Sequence, residues 1–199
     1  MRRPSLRAAV ALVAAAALVG GAAAVAAAQS APSGPQISRS TDAVGGRTVV
    51  AWSAPFAEYL VERSRLHDCS RGQRGLVFFI PGTSGGNSRT SCTVSAAQPI
   101  MVSPAVVICT VPDRGYCTDT ARINDVRRVR VTIDGQPVTR RQFDWVSRQA
   151  FRLKGQQASV AGYMYIIRGL TPGQHTIVAS ATFRNPTHRV RTTASITVR

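Results

Sequence analysis

Alternation of apolar and polar positions is clearest in the last third of the chain. Val129, Val131 and Ile133 alternate with Arg128, Arg130 and Thr132, and Asp134-Gly135 then supplies a hairpin-type turn. Ile177, Ala179, Ala181 and Phe183 alternate with Thr176, Val178, Ser180 and Thr182. Val190, Thr192, Ala194, Ile196 and Val198 alternate with Arg189, Arg191, Thr193, Ser195 and Thr197. This period of two predicts strands with one buried and one wet face. In the final strand, 189–198, a one-residue slip would bury Arg189 and Arg191, so its register is firmly specified. Its expected antiparallel neighbour is 176–183, reached through the turn-initiating pair Asn185-Pro186. Residues 163–167 read as another strand, and Thr171-Pro172-Gly173-Gln174 has Pro and Gly where a type II turn wants them.

Earlier in the chain the pattern changes. Leu76-Val77-Phe78-Phe79-Ile80 is a continuous apolar run ended by Pro81-Gly82, as a strand buried on both faces would be. Residues 82–88 read as a polar loop, and 91–94 and 100–108 as strands, the second broken at Pro104. Residues 112–125 are irregular, with one helical turn expected at 118–123. Over 48–66 the spacing becomes helical, with Trp52, Phe56, Tyr59, Leu60 and Arg63 three or four residues apart on one stripe. Pro55 fits only near the start of such a helix, with Ser53 as its N-cap. A stripe of this kind is core packing rather than a ligand platform. The fold class expected is mostly β: an antiparallel β-sandwich, Ig-like or jelly-roll-like, with one N-terminal amphipathic helix over an open end or face.

Two segments precede this domain. Residues 1–28 have the layout of a cleavable secretory signal: Arg2, Arg3 and Arg7, an apolar run from Ala8 to Val19, and Ala26-Ala27-Ala28 before Gln29. The run is Ala and Gly rather than Leu and Ile, which disfavours a retained transmembrane anchor. Residues 29–46 are rich in Ser, Pro, Gly and Thr and read as a flexible linker. The single β-rich domain is then 47–199.

Charge sharpens the picture. The chain carries 25 Lys+Arg against 9 Asp+Glu, and cleavage after Ala28 would leave 22 against 9, a net of +13. Lys154 is the only lysine. Such a balance attracts anionic partners, but the arginines are scattered, and only their clustering on one face of the fold would make an electrostatic footprint. Scatter favours a general arginine bias over a dedicated anion-binding face and gives no sign of specific nucleic-acid recognition.

The four cysteines, Cys69, Cys92, Cys109 and Cys117, all lie beyond the signal, where an even count reads as disulfides. Their wide spacing does not suit zinc. Three connectivities are open; sequential pairing would close two short loops contributing about 3.5 and 2.5 kcal/mol.

Cys69-x3-Gln73-x-Gly75-x-Val77-Phe78-Phe79-Ile80-x-Gly82-Thr83, followed by Arg89-Thr90-x-Cys92-Thr93-Val94, resembles a group of bacterial secreted proteins of unknown function. Their pattern is C-x-x-G-Q-x-G-x-V-W-F-L-A-G-T, then R-x-C-x-V-P-A-G-K, then a strand with I-x-x-x-x-C. Trp52 and the stretch 170–177 match further features of that group. Phe78 departs from it, as does Ser95-Ala96-Ala97-Gln98 in place of P-A-G-K. The resemblance implies export and the fold, adds no mechanism, and favours a Cys69–Cys92 bond because both residues belong to the motif. The expected pairing is Cys69–Cys92 with Cys109–Cys117.

No catalytic, cofactor or metal constellation emerges. Thr83-Ser84-Gly85-Gly86 is superficially like a serine-protease nucleophile loop, yet Thr83 stands where an Asp is needed and His67 lacks the surrounding pattern. No lysine makes the Gly-rich stretch a phosphate loop. His67, His175 and His188 lack metal-ligand spacing, although Asp68 adjoins His67. Glu58 and Glu62 are one helical turn apart beside Arg63 and Arg65, as on a solvated helix face, and Asp144-Trp145 is more simply a packed Trp than a sugar platform. The expectation is a secreted, non-catalytic extracellular module binding an anionic cell-wall polymer, a polysaccharide or another protein. The alternative is a secreted hydrolase whose site the linear sequence hides.

Overall fold

Two neighbouring strands rich in apolar residues on both faces organise the molecule. The computed structural model describes residues 34–63, 69, 73, 75–83, 85–110, 125–138, 145–184 and 188–199, with only the backbone described for 63 and 145–148. In chain order its elements are β1 (Gln36–Ser38), β2 (Ala43–Val44), β3 (Arg47–Thr48), α1 (Val49–Arg63), β4 (Phe78–Phe79), β5 (Gly86–Val94), β6 (Ile100–Thr110) and β7 (Val126–Ile133). β8 (Gln136–Pro137), β9 (Trp145–Leu153), β10 (Gln156–Arg168), β11 (Gly173–Phe183) and β12 (Arg189–Val198) follow.

Strands β6 and β10 pair antiparallel at the centre of the inner sheet. β4 joins the free edge of β6 in parallel, while β9 and β1 share the other edge of β10. The outer sheet has the order β5-β12-β11-β7-β8, antiparallel except for the parallel β12–β5 pair. The sheets pack as a sandwich around Val102, Tyr165, Ile167, Ile177, Ala194 and Ile196. The opposite face of the inner sheet presents Phe79, Met101, Val160, Met164 and Ile166 to α1. Helix, inner sheet and outer sheet therefore form three layers, and α1 covers a face of the sandwich as its apolar stripe predicts.

Aromatic packing holds the helix. Phe79 stands edge-on to Trp52 and Phe56, with centroids at 6.2 and 5.5 Å, and tilts against Tyr59 at 5.5 Å. Trp52 Nε1 donates to the Val44 carbonyl at 2.8 Å, so the buried indole has its partner. The helix begins earlier than the position of Pro55 suggests. Thr48 Oγ1 accepts from Ala51 N at 3.2 Å as the N-cap, whereas buried Ser53 Oγ donates back to the Val50 carbonyl at 2.6 Å. Pro55 therefore lies inside the helix, where it removes one backbone bond.

The linker expected over 29–46 is, across its described part, integrated into the fold. β1 pairs with β10, Val44 is buried, and Val50 N donates to the Ser40 carbonyl at 3.4 Å. Pro104 does not end its strand either. The β6–β10 register shifts between Tyr163 and Tyr165, opposite Ser103-Pro104, and an irregularity of this kind accommodates a residue with no N–H. Gly162 allows the close approach there, since a Cβ would lie 2.5 Å from the Ala105 oxygen. The expected polar loop 82–88 is shorter, because β5 starts at Gly86 and runs parallel to β12.

Cys69 and Cys92 are joined as expected, with Cα atoms 5.1 Å apart, tying β5 to the segment before β4. Thr90 Oγ1 donates to Cys69 Sγ at 2.8 Å. Cys109 is also disulfide-bonded; Cys117 lies outside the described residues. Gln73 closes the short edge strand: its amide accepts from Phe79 N at 2.7 Å and donates to the carbonyls of Phe79 and Cys69 at 2.7 and 2.8 Å. The motif residues Cys69, Gln73 and Cys92 thus perform structural work in this chain. Asp134-Gly135 turns β7 into β8 with φ of 52° and 78°, the conformation of a two-residue type I′ hairpin.

Candidate functional site

The wet face of the outer sheet gathers charge that the sequence spreads over a hundred residues. Directly paired residues project to the same side of a sheet. Arg189 pairs with Thr182, which pairs with Arg128; Arg191 pairs with Ser180, which pairs with Arg130. On the far side of β12, Arg191 neighbours Asn87 and Thr193 neighbours Arg89. Arg89, Arg128, Arg130, Arg189 and Arg191 are all exposed, while their chain neighbours Thr90, Val131, Val190 and Thr192 face inward and are buried. The scatter of arginines along the chain thus resolves, for these five, into one cluster on one face.

The register sets the geometry of that cluster. Residues two apart on a strand lie about 6.6–7 Å apart, and strands separated by one intervening strand about 9.5 Å. Two arginine tracks, on β12 and β7, therefore flank Thr182 and Ser180 on β11. No carboxylate holds a register position among them; Asp125 precedes β7 and Asp134 lies in the turn at its other end. Among the described residues the ion pair formed is His175–Asp134, so the face is basic without local neutralisation. The register positions next to it on the same side are Asn87, Thr132, Val178 and Thr193, none of them aromatic.

His175 belongs to a different arrangement at the opposite end of the outer sheet. Its Nδ1 meets Asp134 Oδ2 at 2.7 Å and its Nε2 meets the Thr171 carbonyl at 2.8 Å. Asp134 Oδ1 accepts from Thr176 N at 2.7 Å. A ring with an acceptor at each nitrogen is best served as the doubly protonated imidazolium. Burial lowers the His175 pKa, but the bonds to Asp134 and Thr171 and the Asp134 charge outweigh it and leave the pKa above its ordinary value. For Asp134, burial raises the pKa; the bonds from His175 and Thr176 and the imidazolium charge overcome this and hold it below the ordinary carboxylate value. The pair clamps the β7–β8 turn to β11.

A cleft of about 490 Å³, counted out to its mouth, opens between the sheets near Thr83, Ser103, Phe183, His188 and Thr192. Its hydroxyls are committed within the protein. Thr83 donates to the Gly85 carbonyl at 2.6 Å, Ser103 to the Tyr163 carbonyl at 2.8 Å, and Thr192 shares a 3.0 Å bond with Ser88. His188 lies edge-on to Phe183, with centroids at 4.9 Å, and no carboxylate is among the described residues lining the cleft. An imidazole without an orienting carboxylate, among hydroxyls already bonded, is a poor start for nucleophilic chemistry.

Glu58 and Glu62 are exposed on α1. His67, Asp68, Ser84, Asp144 and the Trp145 side chain lie outside the described residues. Among those described, no three His, Cys, Asp or Glu side chains form a group able to hold a metal ion. No described helix is long and apolar enough to cross a membrane. The arginine face is not evident from the scattered arginines of the sequence. Its signal was present in Arg128/Arg130 and Arg189/Arg191, each alternating with apolar residues; the missing knowledge was that β11 seats both strands in register.

No known family model matches the chain, and no curated protein does. Among solved structures, it is similar to one titled "Structure of PbICP-C in complex with falcipain-2", at 11% identity and a TM-score of 0.33, over 63% of this chain and 100% of that chain. It is also similar to one titled "Solution Structure of Amebosin", at 13% identity and a TM-score of 0.24, over 57% of this chain and 96% of the other. Likeness at these scores carries no functional argument.

Proposed function

We propose that the protein is an exported, non-catalytic module that attaches to an anionic extracellular partner through the outer face of the β5-β12-β11-β7 sheet. The observation that carries this reading is the set of five exposed arginines at register positions on one face, with no carboxylate among them. Concentrated like charge raises the local concentration of a polyanion and speeds its capture. Export is supported by the signal-like layout of residues 1–28 and by cysteine use of an oxidising compartment. Against the hydrolase alternative stands the cleft, whose hydroxyls are engaged and whose described lining residues include no carboxylate.

The test is retention of the mature domain on isolated cell envelope at low and high salt. Retention at low salt, release at high salt, and loss in a variant with all five arginines changed to Gln are expected. Retention indifferent to both salt and variant would overturn the assignment of this face. N-terminal sequencing of the exported form should give a start near Gln29, and an intact Met1 in a membrane fraction would contradict cleavage of the signal.

A further inference from the structure

We infer that the partner of this face is a phosphodiester polymer with a three-carbon repeat, lying along the strand direction over β12 and β7. The inference rests on the binding role proposed above and concerns what is bound.

Spacing comes first. Residues i and i+2 of a strand are separated by six backbone bonds and stand about 6.6–7 Å apart. Successive phosphorus atoms joined through a three-carbon diol are also separated by six bonds, so an extended chain of that kind has nearly the same repeat. Arg189 and Arg191 on β12, and Arg128 and Arg130 on β7, each match one repeat. Arg89, level with Thr193 on the adjoining β5, continues the β12 track by a further step.

Head-group chemistry comes second. Guanidinium offers paired donors that fit the two free oxygens of a phosphodiester, and the five charges here are all arginine. Between the tracks lies Thr182, with Asn87 and Thr193 alongside, which suit the hydroxyls or ester oxygens of a polyol phosphate; Ser180 Oγ already donates to the Arg130 carbonyl at 3.3 Å. The face holds no aromatic on which a sugar ring or base would stack, which argues against a nucleic-acid strand of the same six-bond repeat. The arginines are spread over three strands of the sheet, so contacts are summed along a chain.

Binding of the mature domain to poly(glycerol phosphate), oligothymidylate, hyaluronate and inorganic phosphate, titrated at several salt concentrations, tests the inference. Poly(glycerol phosphate) should bind tightest, and inorganic phosphate should not compete at equal phosphate concentration. The slope of log affinity against log salt should fall by about 0.7 for each arginine in contact that is replaced by Gln. Equal or tighter binding of oligothymidylate or hyaluronate would overturn the three-carbon phosphodiester assignment. If no soluble polyanion bound but envelope retention still required the five arginines, the polymer chemistry would be wrong and the binding role intact. Retention of the five-Gln variant on envelope would instead remove the role itself.

Discussion

The two sheets use strands of similar length and dispose of their faces in opposite ways. In the inner sheet both faces are occupied: Ile167 of β10 packs between the sheets, while its neighbour Ile166 packs under α1. In the outer sheet Ile196 of β12 is fully buried and its neighbours Ser195 and Thr197 face solvent, exposed and half-buried respectively. A sheet with no free face has no room for a partner except at its edges. The outer sheet keeps one face wet, and the charge has collected there. The difference separates the residues that hold the fold from those available for work outside it.

The sharpest way to break this comparison is substitution of consecutive residues. Ile166→Asp and Ile167→Asp should both be severe, each burying a carboxylate among apolar side chains at a cost of roughly 3 kcal/mol or more. Ile196→Asp should be equally severe. Thr197→Asp should lie within about 0.5 kcal/mol of the parent, as a surface change that keeps an acceptor for Gln174 Nε2, now 2.9 Å from Thr197 Oγ1. Denaturant midpoints of the four variants would decide it. A tolerated Ile166→Asp would mean that α1 does not seal the inner sheet.

The same contrast explains how much was legible beforehand. Strands β7, β11 and β12 announce themselves because one face is apolar and the other polar, and Asp134-Gly135 marks its own turn. The inner sheet is harder to read, since a strand buried on both faces loses its alternation. The first half of β10, Gln156 to Ala161, is built largely of Gln, Ala and Ser, and was not expected as a strand. The start of β5 is illegible because its inward residues Ser88 and Thr90 are polar, as are the outward Asn87 and Arg89, so no apolar period of two survives. The helix starts earlier than Pro55 suggests, since Pro favours the first turn, whereas α1 tolerates Pro55 internally. The arginine face lay in the sequence as two alternating pairs, and strand order alone turned them into a surface.

A smaller effect should sharpen the comparison through pH. The outer sheet carries the His175–Asp134 clamp at the end of β11. The folded pKa of His175 is raised, so its contribution is complete below the ordinary imidazole value and is lost as pH rises through the folded value. The folded pKa of Asp134 is lowered, so its contribution is present above the ordinary carboxylate value and is lost as pH falls through the folded one. The clamp is therefore strongest between about pH 4 and 6.5. With Asp134 nearly half exposed, its worth stays below about 1 kcal/mol. Melting curves at pH 6 and pH 8 should show a loss on the alkaline side that shrinks in His175→Gln. An unchanged loss in that variant would assign the pH dependence elsewhere.

The smallest expected effect on stability belongs to the arginines, and its sign is the informative part. Two unit charges held at the backbone spacing of about 7 Å along one strand repel by about 0.6 kcal/mol in water before screening, and two at the spacing of about 9.5 Å across β11 by about 0.4 kcal/mol. Physiological salt, with a Debye length of about 8 Å, reduces each by more than half. Arg191 neighbours Arg189 along β12 and faces Arg130 across Ser180, so Arg191→Gln should stabilise the fold by a few tenths of a kcal/mol. In a domain of this size that is a rise of about 1 °C in Tm, larger at low ionic strength. The same change should weaken envelope retention. A side chain that slightly destabilises the fold yet is needed for binding belongs to the partner rather than to the core. If Arg191→Gln instead lowered Tm by several degrees at every salt concentration, the aliphatic stem would be packing against the sheet. The outer face would then be structural, as both faces of the inner sheet are, and the contrast between the sheets would fail.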